Sequence, residues 1–271
     1  MTRIDSNGAE RRRWNDRAWA SAWSRRELLT MAVADVLVGR AGLRPGDRVL
    51  DIGTGGGVAA FAAGLIVGEG IVVGADISEP MVEMARDRAE QRAAGNVSFV
   101  VADVQHQTVP GGPFDVAISQ FGVMFFDEPQ VAFANIRRQL VSGGRLRFAC
   151  WRAAELNPWF PGSALAGIVP PPPPPAPGKS PTGPFSLCDA DRTMGILEAS
   201  GWREVASAAH DLVVTVERDV IVDDEALRMF GVAQDAMAAA WEAIEGRLAP
   251  ITRDDGRIDV PLAFQVFTAA A

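Results

Sequence analysis

Arg48-Val-Leu-Asp51-Ile-Gly53-Thr-Gly55-Gly-Gly57-Val58 joins an apolar run to a glycine-rich turn, and a helical pattern follows it. Glycine allows a left-handed backbone and a close approach of a ligand to the main chain, while the start of a helix offers free N–H groups. The stretch therefore predicts a nucleotide-like ligand at the end of a strand. The dinucleotide fingerprint G-x-G-x-x-G is not matched, because its third position falls on Val58 when counted from Gly53 and on Ala60 when counted from Gly55.

Outward from this stretch, short β-branched runs alternate with longer helical patterns. Strands are predicted over Arg48–Ile52, Ile71–Ala75, Val97–Ala102, Phe114–Ser119 and Arg145–Cys150. Helices are predicted over Gly57–Val67, over Pro80–Ala94 with Ser78 as N-cap, and over Pro129–Leu140 behind Asp127. This alternation predicts a parallel sheet with right-handed crossovers and helices on both faces.

The flanks of this core are predicted to add helices and two further strands. Trp14 to Gly42 has helical spacing, whereas the pattern breaks after Trp151 and reaches the proline run Pro170–Pro175. The later predicted elements are a helix over Asp189–Ser200, a strand over Leu212–Val216, a long helix over Asp224–Leu248 and a strand over Val260–Thr268. The late strands fit an antiparallel edge hairpin split by a helix. The predicted fold is thus α/β, with a doubly wound, seven-stranded and mostly parallel sheet.

One domain over residues 1–271 is expected to hold all of these elements. Its predicted parts are an N-terminal helical lid (1–42), a cofactor-binding core (45–151), a Pro-rich rim insertion (152–186), and C-terminal helices with edge strands (187–271). Within the rim insertion, Asn157-Pro-Trp159-Phe160 either closes the other wall of the substrate site or is a surface loop without function, and we expect the surface loop.

Charge and cysteine content narrow the function classes. The chain has 26 basic and 34 acidic residues, a net charge of -8, which repels phosphate backbones. We interpret the largest basic cluster, Arg11–Arg13 with Arg25 and Arg26, as a solvated face and expect no nucleic-acid partner. Two cysteines are too few for a disulfide framework, and no metal site is expected. No secretory leader or membrane span is apparent, so we expect a cytoplasmic protein with a small-molecule partner; its oligomeric state is left open.

The acids and glycines together resemble a known family. Asp51, Gly53, Gly55 and Gly57 have the form acid-x-G-x-G-x-G, which is similar to the first motif of the class I S-adenosylmethionine-dependent methyltransferases. Asp76 ends the second predicted strand, where the family's acid accepts hydrogen bonds from both ribose hydroxyls. Three acids at successive strand ends would open onto one crevice, because the carboxyl ends of adjacent parallel strands meet there.

The resemblance extends over residues 45–151. Asp103 follows the third strand, where the family's acid holds the adenine amino group. Asp127-Glu-Pro and Phe133-Ala-Asn-Ile-Arg-Arg resemble the quinone-pathway C-methyltransferases, a subgroup that handles small molecules. Ser142 departs from the family, which usually has proline in the turn before the fifth strand.

The resemblance implies a Rossmann-like methyltransferase fold and methyl transfer from S-adenosyl-L-methionine to a small molecule, with S-adenosyl-L-homocysteine as product. The cofactor-binding residues that it implies are Asp51, Gly53, Thr54, Gly55, Gly57, Asp76, Ile77, Met81, Asp103, Val104 and Ser119. We expect the acceptor beside the end of the fourth strand and the lid helix, in contact with Trp14, Trp19, Phe121, Met124 and Phe125. Core packing of the lid helix is an equal alternative for its tryptophans. No catalytic residue is assigned, because positioning and exclusion of water can supply most of the barrier reduction. Neither His106 nor His210 is expected to act as a base, and methylation of O, N or C is left open.

Two other functions fit parts of the sequence. A nicotinamide-dependent reductase also binds its cofactor at a strand–loop–helix unit. Here the glycines do not match the dinucleotide fingerprint, and the chain has no tyrosine for a Tyr-Lys pair. A non-catalytic relative that binds S-adenosylmethionine and serves as an interaction protein is the other alternative. Titration with S-adenosylhomocysteine and NADPH separates the first, and a methyl-transfer assay separates the second.

Overall fold

A computed structural model describes residues 7–271, apart from the side chain of Arg25. The sheet consists of β1 Arg48–Ile52, β2 Ile71–Asp76, β3 Val97–Val101, β4 Phe114–Gln120, β5 Leu140–Trp151, β6 Arg203–Val216 and β7 Ile258–Ala270, in the order β3-β2-β1-β4-β5-β7-β6. Strands β1 to β5 pair in parallel, and β7 runs antiparallel between β5 and β6. The predicted α/β, seven-stranded and mostly parallel fold is therefore confirmed.

The helices lie between and around these strands. They are α1 Gly8–Trp14, α2 Arg17–Arg40, α3 Val58–Val67, α4 Glu79–Gln91, α5 Pro129–Arg138, α6 Pro161–Ala164, α7 Ala190–Ala199, α8 Arg218–Ile221, α9 Asp224–Met229 and α10 Met237–Leu248. Side-chain caps start several of them: Asp16 accepts from the amide of Ala18 at 2.8 Å, and Ser78 accepts from the amide of Met81 at 3.3 Å. The predicted Ser78 cap is confirmed. Residues 1–6 of the predicted lid lie outside the described residues.

Both faces of the sheet are covered, because alternate strand residues point to opposite sides. Val49 and Val72 belong to a core cluster with α3 and α4, whereas Leu50 and Val73 belong to a second cluster on the other face. The second half of α2 contributes Leu29, Val33 and Leu37 to that second cluster, and all three are at most 2% exposed. Much of the predicted lid is therefore a structural helix of the core.

Two C-terminal predictions are wrong. The single helix predicted over Asp224–Leu248 is broken between α9 and α10, where Gly231 has a φ of 90° that a helix cannot contain. Strand β6 begins at Arg203 and not at Leu212. Its first half is rich in alanine and lacks a strand signal, and pairing with β7 makes it a strand.

Backbone hydrogen bonds hold the rim insertion against the loop after β4. The amide of Gly183 donates to the carbonyl of Met124 at 3.2 Å, and that of Ser180 donates to the carbonyl of Asp127 at 2.7 Å. Trp159 packs into the core at 7% exposure, so the expectation of a surface loop at this tryptophan is wrong. Among residues 7–271, no helix combines the length and the apolar character needed to span a bilayer.

Candidate functional site

The glycine-rich turn lies where β1 meets the end of β4. Gly53 has a φ of 63°, and a Cβ atom there would lie 2.6 Å from the Cα atom of Gly122. Glycine is required at this position for both reasons, since the left-handed backbone and the close approach exclude a side chain. The amides of Gly53 and Thr54 both donate to the carbonyl of Ala75, which fixes the turn against the end of β2.

Asp51 is a buried acid with one oxygen unsatisfied. Thr54 Oγ1 donates to Asp51 Oδ2 at 2.7 Å, whereas Oδ1 is buried and makes no hydrogen bond of ordinary geometry with the described residues. Burial raises the pKa of Asp51 to about 7; the Thr54 hydrogen bond lowers it, the charge of Asp76 raises it, and the backbone amide of Ala60 lowers it more weakly. A buried carboxylate without full pairing is costly, so a cationic ligand group beside Oδ1 would satisfy it.

Asp76 and Asp103 follow the next two strands. Asp76 accepts from the amides of Gly55 and Ser78, each at 2.9 Å, and burial raises its pKa. Asp103 is 4% exposed and accepts from the amide of Gln105 at 3.1 Å. Its second oxygen receives Arg11 Nη2 of α1 at 3.4 Å. The first helix therefore lies over the acid of the third strand end.

These strand ends surround a cavity that we call the strand-end crevice, of about 90 Å³. Its lining includes the predicted residues Gly53, Gly55, Asp76, Ile77, Met81, Asp103 and Val104. A smaller cavity of about 50 Å³, the loop pocket, continues from it along the glycine-rich turn. Asp51 and Thr54 line the loop pocket together with Glu27, which pairs with Arg88 at 2.7 Å. Nine of the predicted cofactor residues thus line one of these two adjoining cavities.

A third and larger cavity, the aromatic cavity, occupies about 260 Å³. Its walls come from α1 and α2, from the loops after β4 and β5, and from the segment around α8 and α9. Its aromatic and large apolar lining residues are Trp14, Trp19, Trp23, Leu29, Phe121, Met124, Phe125, Trp151, Trp159, Phe160, Ile221, Met229 and Phe230. All five predicted substrate residues line this cavity.

The three cavities meet at Trp23 and Phe121, the two residues that line all of them. Phe121 has a φ of 61°, a backbone region that costs energy for a bulky side chain and is concentrated at functional sites. Its ring stacks on Trp151 at 4.0 Å between centroids. Trp23 packs edge-on against Trp14 at 5.5 Å. Sequence reasoning missed Trp23 as a site residue, although it follows Trp19 at helical spacing.

Two predicted cofactor residues do not line the cavities. Ser119 is fully buried; its hydroxyl donates to the carbonyl of Ile52 at 2.7 Å and accepts from the amide of Gly122 at 3.2 Å. Gly57 starts α3, and a Cβ atom there would lie 2.8 Å from the ring of Phe99. The geometry gives both residues a role in shaping the turn and no direct access to a ligand.

The histidines lie away from the junction. His106 Nε2 is 3.0 Å from Gln105 Nε2 and 3.5 Å from Glu128 Oε2 at the rim. His210 lies within β6 and stacks on Phe264 at 5.2 Å; its pKa is lowered, first by burial and then by Arg40. Within residues 7–271, no group of three or more His, Cys, Asp or Glu side chains is placed to hold a metal ion.

Comparisons of sequence agree with this site. A family model described as a methyltransferase domain matches residues 49–144. The ubiquinone/menaquinone biosynthesis C-methyltransferase UbiE of Teredinibacter turnerae is 42% identical over 109 residues, which cover 39% of this chain and 43% of that protein. The nocamycin O-methyltransferase of Saccharothrix syringae is 32% identical over 170 residues, which cover 57% of this chain and 61% of that protein. Each match thus takes in less than two thirds of the relative's length.

Solved structures share the fold over most of the chain. The YcgJ protein of Bacillus subtilis has a TM-score of 0.60 at 17% identity and covers 88% of this chain and 97% of its own. An S-adenosylmethionine-dependent methyltransferase of Aquifex aeolicus has a TM-score of 0.52 at 18% identity and covers 88% of this chain and 89% of its own. The chain therefore has the Rossmann-like methyltransferase fold.

Proposed function

We propose that the chain transfers a methyl group from S-adenosyl-L-methionine to a small apolar molecule bound in the aromatic cavity. The observation that carries the proposal is the convergence of three cavities on Trp23 and Phe121, at the carboxyl end of the sheet. Ligands of such sheets bind at this end. One ligand can extend along the crevice and the loop pocket while a second approaches the junction from the aromatic side.

The buried acids fit the cofactor. Asp51 Oδ1 lacks a partner and would receive the ammonium group, while Thr54 holds the other oxygen of the same carboxylate. Asp76 would accept from the ribose hydroxyls, and Asp103 would accept from the adenine amino group. When bound, S-adenosyl-L-methionine supplies a methyl group on a positively charged sulfur.

The aromatic junction suits this chemistry in two ways. The faces of Trp23 and Phe121 attract a cation, and the rings around them exclude water from the reacting atoms. Positioning of this kind can supply a large part of the barrier reduction for a displacement between two bound molecules. This contribution comes from the placement of the two ligands and does not require a side chain to transfer a proton.

The protein is proposed to act as a single domain on a small molecule in the cytoplasm. Cys150 and Cys188 are free thiols, which fits a reducing compartment. The net charge of -8 argues against a nucleic-acid substrate.

Calorimetric titration of the full chain tests the proposal. We expect S-adenosylhomocysteine to bind and NADPH to give no heat of binding. A methyl-transfer assay over phenol, carboxylate, amine and quinone acceptors should then yield at least one methylated product. Binding of NADPH without S-adenosylhomocysteine would assign the crevice to a reductase, whereas cofactor binding without transfer across the panel would favour the non-catalytic interaction protein.

A further inference from the structure

Among the described residues, no side chain that lines the aromatic cavity is suited to remove a proton from the acceptor. Its described lining residues include no aspartate, glutamate, histidine, cysteine or lysine. The hydroxyl of Thr30 lines it and donates to the carbonyl of Glu27 at 3.3 Å, and a hydroxyl is too weak a base at neutral pH. A general base contributes about a hundred to ten thousandfold when the acceptor atom holds a proton of high pKa. An acceptor that needs this help would react poorly here.

The two charged side chains in the described lining of the cavity are cationic. Arg13 and Arg26 reach it from α1 and α2. Glu10 pairs with Arg13 at 3.2 Å and Asp223 pairs with Arg26 at 3.6 Å, but neither carboxylate is part of the cavity lining. Arg26 also donates to the carbonyls of Ile221 and Ala22, at 3.1 and 2.7 Å. Arg13 holds Glu10 through Nη1, and its remaining donors can hold a second oxyanion. Because the guanidinium groups line the wall and their carboxylate partners do not, an anion placed beside these arginines is favoured over an ammonium group placed there.

Three tryptophans of the cavity wall lack acceptors for their ring N–H groups. Nε1 of Trp14, Trp19 and Trp159 is buried in each case and has no hydrogen-bond partner within residues 7–271 as described. Trp14 and Trp159 are only 9% and 7% exposed. A buried donor without an acceptor costs about 1–3 kcal/mol. An oxygen of a bound ligand that reaches these nitrogens would supply the missing acceptor.

From these three observations, and resting on the proposed function, we propose that the methyl acceptor is a flat apolar molecule whose reacting oxygen is already ionised at neutral pH. This oxyanion is a carboxylate or a phenolate of low pKa. The oxygen forms its bond to the methyl carbon as the carbon–sulfur bond breaks, and that electron pair remains on sulfur. One negative and one positive charge disappear, and no proton is released. A cavity of low polarity favours this step, because it loses two poorly solvated charges.

Binding of matched probes to the full chain saturated with S-adenosylhomocysteine tests the proposal by calorimetry at pH 7. The carboxylate arm compares 2-naphthoate with neutral 2-naphthamide and cationic 2-naphthylmethylamine. The phenolate arm compares 4-nitro-1-naphthol, which is acidic, with 1-naphthol, which is neutral at this pH. We expect at least one anion to bind about tenfold more tightly than its neutral counterpart, and that arm identifies the source of the oxyanion. The inference is wrong if neither anion is preferred, or if the amine binds best.

Variants connect the preference to the named residues. Arg13→Gln should weaken binding of the preferred anion about fivefold and leave binding of the neutral probe unchanged. The matched control is Arg17→Gln, which changes a side chain that is 77% exposed and should leave both affinities unchanged. Trp159→Phe keeps a ring but removes the N–H, and should weaken anion binding, while Trp241→Phe outside the cavity should not. Equal effects of Arg13→Gln on anion and neutral probe would count against the inference.

The two proposals fail in different ways. If S-adenosylhomocysteine does not bind, the proposed function and this inference both fall. If it binds and methyl transfer runs best on an amine, the function stands and the inference alone is overturned.

Discussion

The strand-end crevice and the aromatic cavity meet at Trp23 and Phe121, yet different parts of the chain form their walls. Most of the crevice lining comes from the strand ends between Ile52 and Phe126, and it includes glycine backbone and the acids Asp76 and Asp103; Glu10 and Trp14 of α1 also line it. The aromatic cavity is formed by side chains from segments as far apart as Arg13 and Phe230. Electrostatics and main-chain geometry dominate the first region, whereas ring packing dominates the second. A substitution in one region should therefore leave a signature that differs from a substitution in the other.

The largest expected effect belongs to Asp51. The pKa of this buried acid is raised to about 7 from 3.8, so the folded protein binds more protons than the unfolded chain between these values. Stability therefore falls as pH rises through this window. Between pH 5 and pH 8, the unfolding free energy of the wild type should fall by roughly 2 to 3 kcal/mol because of this group. Asp51→Asn should not show this fall. Urea denaturation at both pH values measures the difference.

Two controls accompany Asp51→Asn. Asp87→Asn changes an exposed acid of α4 and should retain the wild-type pH dependence. Asp51→Asn should also weaken S-adenosylhomocysteine more than 5′-methylthioadenosine, which lacks the ammonium group. Parallel stability curves for Asp51→Asn and wild type would show that Asp51 is not held as a high-pKa acid.

Asp76→Ala should have the next largest effect, on cofactor affinity, and it tests the crevice alone. The variant removes a charged acceptor at the end of β2, so S-adenosylhomocysteine affinity should fall by about 1.5–3 kcal/mol, or roughly 10- to 150-fold. Calorimetric titration measures the loss, with Asp87→Ala on α4 as the exposed control. An unchanged dissociation constant for Asp76→Ala would remove the crevice from the cofactor assignment.

Phe230→Ala tests the aromatic cavity alone. Phe230 packs edge-on against Trp19 at 5.9 Å and Phe160 at 6.3 Å, at the wall farthest along the chain from the crevice motifs. Loss of this ring should weaken binding of the naphthalene probes about tenfold, while the affinity for S-adenosylhomocysteine stays at the wild-type value. A parallel loss of both affinities would mean that the two regions cannot be separated.

Arg11→Gln should produce a smaller effect of opposite sign. Arg11 is 44% exposed and pairs with Asp103 at 3.4 Å, so it competes with any ligand group that Asp103 would hold. Release of this acid should raise S-adenosylhomocysteine affinity about twofold to fivefold, in line with the small free energy of exposed ion pairs. Arg17→Gln is the control in the next helix; weaker binding by Arg11→Gln would instead make Arg11 a ligand-holding residue.

The difference in construction also explains what the sequence could reveal. Asp51 and Asp76 each end a short apolar strand, so a local pattern predicts that they share one edge of the sheet. Trp159 has no such pattern, and only the packing of the rim insertion against Trp151 at 5.5 Å shows that it is a wall residue. The early start of β6 at Arg203 depends on tertiary pairing in the same way. The break at Gly231 has a local cause, the left-handed backbone of that glycine. Walls assembled from distant segments carry no periodic signal.

The smallest expected effect is that of the double change His106→Ala with His210→Ala. Neither histidine lines the crevice, the loop pocket or the aromatic cavity among the described residues. His106 contacts Gln105 at the rim, and His210 stacks on Phe264 in the sheet, so neither is placed in the lining around the proposed acceptor. We expect single-turnover methyl transfer to stay within about twofold of wild type, far from the roughly hundredfold floor for loss of a general base. A hundredfold loss in either single variant with unchanged S-adenosylhomocysteine affinity would make that histidine the base, and the aromatic cavity would then not be where the acceptor is activated.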